Sequence, residues 1–103
     1  MLKLLIASLI FIPTTAVFAN DYPTIDVDDV AHYLVVEDEA TGDEWWTDDG
    51  YCVKKGFEWA SESMSTLSSE LAPLVAMDED GSIVKTYDSN NGKLWVVATV
   101  ECE

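Results

Sequence analysis

The stretch VKKGFEWASESMSTLSSEL, residues 53–71, decides how the rest of the chain is read. Val53, Phe57, Ala60, Met64, Leu67 and Leu71 recur in steps of four, three, four, three and four. At about 100° per residue these side chains fall on one stripe roughly 80° wide, so the spacing predicts a helix with a single buried face. Asp48 or Asp49 offers the N-cap carboxylate, and Pro73 is a natural stop. The serine-rich run from Ser61 to Ser69 lowers helix propensity without interrupting the stripe. A methionine and aromatic stripe of this kind reads as core, not as a cofactor box.

On the N-terminal side, Thr24 to Glu39 admits helix or strand. Asp26 suits an N-cap, Ile25 and Val30 can staple it, and Val27, Val30, Ala31 and Leu34 recur at helical spacing. Tyr33 to Val36 is rich in strand formers but lacks a clean alternation. The expectation is a helix from Val27 to Val36, followed by a turn at Gly42 and the Glu44-Trp45-Trp46 segment.

Beyond Pro73 the hydrophobic period changes. Leu74 to Met77, Ser82 to Tyr87 and Lys93 to Glu101 read as three short strands, separated by Asp78-Glu79-Asp80-Gly81 and by Asp88-Ser89-Asn90-Asn91-Gly92. Asn91-Gly92 is a hairpin signal because both residues tolerate positive φ. In the last strand, alternation puts Leu94, Val96, Ala98, Val100 and Cys102 on one face, and Trp95, Val97, Thr99 and Glu101 on the other.

The first nineteen residues, Met1–Ala19, have the order of a secretory signal peptide. Lys3 precedes an apolar run from Leu4 to Ile12, Pro13 breaks it, and Val17-Phe18-Ala19 is a small-x-small cleavage site. The run is too short to span a bilayer. A periplasmic or secreted location follows, with no membrane attachment after cleavage. In that oxidising setting the two cysteines, Cys52 and Cys102, read as one disulfide, and closing a loop of this size stabilises a domain by about 4 kcal/mol. Residues 20–103 then form a single small acidic domain. The expected architecture is α+β: one or two helices packed on a small three-stranded antiparallel sheet and stapled by the disulfide, with Gly56 allowing helix and strand to approach closely.

Charge narrows the function classes. The chain carries 5 basic and 20 acidic residues, a net charge of −15, and loss of Lys3 with the leader makes it −16. Such a surface repels nucleic acid and anionic lipid and attracts cationic proteins or metal ions. Four tryptophans and four tyrosines in the same segment argue for a folded domain over a disordered acidic tail.

Catalysis finds little footing, and the expectation is that the chain is not an enzyme. His32 is the only histidine and lies in an apolar segment, and both cysteines are assigned to the bridge. No metal site and no cofactor are expected. Asp78-Glu79-Asp80-Gly81 resembles part of a calcium loop, but Ala76 and Tyr87 stand where its first and last ligands belong, so a polar hairpin turn is the better reading.

The Trp45-Trp46 pair is more informative. Acids flank it on both sides, and in an extended segment one tryptophan enters the core while its neighbour faces out. Tryptophan is enriched at binding hot spots, so an exposed Trp ringed by carboxylates suits a basic partner. The candidate partner-binding residues are therefore Asp43, Glu44, Trp45, Trp46, Asp48 and Asp49. The function expected is a small exported acidic protein, monomeric, that neutralises a cationic protein such as a hydrolase or toxin, in the manner of an inhibitor or immunity protein. The alternative is a calcium-stabilised structural or surface module of the cell envelope.

Overall fold

A computed structural model describes residues 22–103; the leader assigned to Met1–Ala19 lies outside them. In chain order the elements are β1 (Thr24–Val27), β2 (Val30–Asp38), β3 (Asp43–Glu44), α1 (Thr47–Lys54), β4 (Ala60–Leu67), β5 (Leu74–Met77), β6 (Ile83–Tyr87) and β7 (Leu94–Cys102). The strands form one mixed sheet in the order β4-β7-β2-β5-β6, with β1 and β3 also paired to β2. The β2·β5 pair is parallel and the others are antiparallel. This overturns the three-stranded antiparallel sheet expected from the sequence, and with it the α+β class with its helix layer: the protein is mostly β with one short helix.

Both expected helices need correcting. The first, Val27 to Val36, is a hairpin. Asp28 and Asp29 take φ of 53° and 68°, and Val27 pairs with Val30. Two consecutive left-handed residues make the tight turn whose twist matches flanking strands, and aspartate is among the few residues that tolerate that conformation. Asp26 is therefore an exposed strand residue, not a cap.

The second helix stops at Lys54, and β4 occupies the serine-rich part of the supposed stripe. Gly56 ends the helical path with φ of 96°. Beyond it, Ser61, Ser63 and Ser65 alternate with Glu62, Met64 and Thr66, so the segment also carries the period of a strand. Of the six stripe residues only Leu71 is buried, while Phe57, Met64 and Leu67 are exposed. Nor do Asp48 and Asp49 cap the helix: its N-cap residue is Trp46, which makes no capping bond, and both aspartates sit in the first turn.

The strands after Pro73 lie close to where the change of period puts them, but their pairing differs. β5 and β6 form a hairpin through Asp78–Ser82, with Asp78 N–H donating to the Ser82 carbonyl at 3.0 Å. Gly92 does adopt φ of 84°, yet β6 and β7 are not neighbours. The Asn91-Gly92 turn therefore carries the chain across the sheet instead of closing a hairpin.

β5 explains how the core is arranged. All four of its residues are buried, Leu74 and Ala76 into one cluster with Val35, Leu94 and Val96, and Val75 and Met77 into another with Leu34 and Val97. A strand covered on both faces reads as a continuous apolar run. α1 lies on the second cluster, where Tyr51 packs and Cys52 bonds Cys102. The glycine that permits close approach is Gly50, not Gly56. A Cβ on Gly50 would collide with the Asp78 carbonyl oxygen, whereas one on Gly56 would meet nothing within 4 Å.

Candidate functional site

Besides the shift at Ser61, where Ala60 opposes Cys102 and Glu62 opposes Glu101, two bulges shape the surface near the start of α1. In β2, Val35 opposes Val96 and Glu37 opposes Trp95, which leaves Val36 without a partner. In β7, Met64 opposes Thr99 and Ser65 opposes Val97, which leaves Ala98 unpaired. Each extra residue shifts the alternation of its strand. Consequently Val100 joins Val97 on the α1 side, where strict alternation had put it with Leu94 and Val96.

Between these bulges and the start of α1 lies a groove of about 270 Å³, lined chiefly by Trp46, Glu37, Glu44, Asp48, Ser63 and Ser65. Val36 and Val97 line it too, and Trp45 borders it. Each wall has a local cause. Trp45 N–H donates to the Val36 carbonyl at 2.8 Å, so the chain leaves β3 along the bulge. Trp45 packs edge-on against Tyr87 at 6.3 Å between ring centres, both rings half-buried against the core. The next residue, Trp46, faces the other way and is 64% exposed. The pair thus divides into one covered and one exposed ring, as expected of an extended segment.

Thr47 fixes this junction. It is fully buried where β2 and β5 part, and its hydroxyl donates to the Val35 carbonyl at 2.6 Å while accepting the Met77 N–H at 3.0 Å. One side chain thereby satisfies backbone groups of two strands that no longer reach each other. α1 is further tied to β4 by its aspartates: Asp49 Oδ1 accepts the Ala60 N–H at 2.8 Å, and Asp48 Oδ2 accepts the Ser63 hydroxyl at 2.8 Å.

The six residues singled out by sequence therefore separate. Glu44, Trp45, Trp46 and Asp48 come together at the groove. Asp49 serves the helix–strand junction. Asp43 is exposed and accepts the Thr41 hydroxyl at 3.0 Å, within its own turn. Glu37, Ser63 and Ser65 were missed. Glu37 enters because β3 pairs it directly with Glu44, and the serines enter because residues 60–67 are strand.

Electrostatically the site is one-sided. Glu37 faces Glu44 and Asp38 faces Asp43 across the β2·β3 pair, and like charges directly opposite are destabilising. Asp38 is compensated. It is buried, and its carboxylate accepts the Tyr87 hydroxyl at 3.0 Å and the Ala40 N–H at 3.0 Å. Burial, reinforced by this carboxylate, pushes the Tyr87 phenol well above its ordinary value. Among the described residues no lysine lines the groove.

His32 is buried, and its Nδ1 lies 2.7 Å from the Val30 carbonyl oxygen. Trp95 Nε1 donates to Glu39 Oε2 at 2.7 Å. In the Asp78–Ser82 turn, side-chain hydrogen bonding with Asp78, together with the Ser82 hydroxyl and N–H that donate to Asp80 Oδ1 at 2.7 and 2.9 Å, holds the Asp80 carboxyl down to about 2. Among the described residues no three His, Cys, Asp or Glu side chains converge in a way that would hold a metal ion, so the calcium-stabilised module gains no support from them. No described helix is long and apolar enough to cross a membrane. Comparison with protein-family models, with curated proteins and with solved structures returns no match.

Proposed function

We propose that this chain is an exported acidic binding protein that neutralises a cationic protein partner, of the inhibitor or immunity type. The observation that carries the reading is the groove, where an exposed Trp46 ring stands beside Glu37, Glu44 and Asp48 with no lysine among the lining residues. An arginine or lysine head over an indole face gains cation–π attraction, and neighbouring carboxylates add charge-assisted hydrogen bonds. The net charge of the chain attracts basic proteins over distance and speeds encounter. The disulfide between Cys52 and Cys102 suits an oxidising compartment.

The reading is tested by titrating the disulfide-bonded chain with a panel of basic hydrolases and toxins by calorimetry, at low and at high salt. The expected result is saturable, one-to-one binding to a member of the panel that weakens as salt rises. Salt-independent adhesion, or no saturable binding to any member even at low salt, would count against it.

A further inference from the structure

β4 stands at the end of the sheet and pairs only with β7 among the described residues. Its first amide, that of Ala60, is closed off by Asp49. From Glu62 to Ser65 every residue is exposed, and Met64 is 67% exposed. In a chain with twenty acidic residues, this eight-residue strand carries one charge, Glu62, and neither lysine nor proline. Natural proteins ordinarily guard a long edge with such residues, because its unpaired N–H and C=O groups invite another strand.

The edge also borders the groove. Ser63 and Ser65 project from β4 onto the groove face, opposite Val100 and Val97 of β7. They are the small side chains between the open edge and Trp46. A strand added beside β4 would sit about 4.8 Å outside it, and an arginine side chain is long enough to cross that distance.

Resting on the proposed reading of a cationic partner, we infer that the partner binds by adding an extended segment to the free edge of β4, with a basic side chain crossing over Ser65 into the Trp46 groove. Main-chain hydrogen bonds along the edge supply affinity, and the groove selects arginine or lysine at alternate positions of the added strand. The occupant is a basic segment and not a second copy of this chain, because the free edge of a copy holds no lysine or arginine to enter the groove and would add Glu62 to an acidic face.

The probe is a blocked heptapeptide of alternating threonine and arginine, titrated into the disulfide-bonded chain. Three counterparts accompany it: citrulline for arginine, lysine for arginine, and backbone N-methylation at every second residue. Binding by the arginine peptide, with slowed hydrogen exchange at β4 amides, is expected. The citrulline and N-methylated peptides should bind at least about tenfold more weakly. Ser65→Arg, which places a guanidinium in the groove from within, should weaken binding by about tenfold. Met64→Arg adds the same charge on the opposite face of the strand and should change affinity much less. Equal binding of the N-methylated peptide without β4 protection would overturn strand addition while leaving a cationic partner standing, as would basic proteins that bind without protecting β4. Equal binding of the citrulline peptide would overturn the groove's selection of charge.

Discussion

Thr47 shows how much of the site depends on one hydroxyl. It bridges β2 and β5 where their own ladder ends, and it sets the direction in which Trp46 leaves the sheet. Thr47→Val keeps the shape and removes the hydrogen bonds, leaving the Met77 N–H and the Val35 carbonyl buried without this partner. The expected cost is about 2 to 3 kcal/mol in urea unfolding, since each stranded buried group costs about 1 to 3 kcal/mol. Tyr87 offers a second check. Its phenol is raised in the folded state, so the stability it contributes is complete below the ordinary tyrosine value, near pH 10, and is lost as pH climbs beyond it. Absorbance titration should show one tyrosine ionising later than the others, and Asp38→Asn should bring its transition to lower pH. None of this was legible in the sequence: a threonine between Trp46 and Asp48 carries no mark of the two strands that meet it.

At the scale of elements, sequence succeeded where one period was unambiguous. Leu74 to Met77, the strand after Gly92 and the Asp78–Ser82 turn all lie close to where alternation and turn chemistry put them. It failed where two periods coexist. Residues 53–71 carry a 3.6-residue stripe and a two-residue serine alternation together, and tertiary pairing with β7 selects the strand. The Asp28-Asp29 turn was obscured because aspartate is also a helix-capping residue. Asp29 sits at φ of 68°, so Asp29→Gly should raise thermal stability by about 1 kcal/mol, the scale of the left-handed penalty for residues bearing a Cβ. A loss of stability would mean that the segment is not the hairpin described. The β2·β3 pair leads to an opposite trade. Glu37→Gln removes one of two facing carboxylates and should stabilise the fold by about 0.2 to 1 kcal/mol in the same assay, while weakening capture of a cationic ligand. A residue that lowers stability and raises binding is what a functional surface requires.

At the scale of the molecule, the disulfide and the seat of the helix fix the walls of one groove. Cys52 and Cys102 join the helix to the last strand, and Gly50 seats the same helix against the β5–β6 turn. The groove walls therefore come from elements fixed in sequence-distant places. Four of the six residues singled out beforehand reach the groove because Trp45 and Trp46 mark an extended, acid-flanked segment whatever the fold around it. Glu37 and the two serines did not stand out, because only the observed pairing brings them there. The measurement that bears most directly on the central claim is the dissociation constant of a basic protein partner for the native chain and for Trp46→Ala. Trp46 is largely exposed, so its loss should leave the unfolding midpoint almost unchanged and weaken binding by at least about tenfold, in keeping with a hot-spot tryptophan. Equal affinity of the two forms would contradict the account.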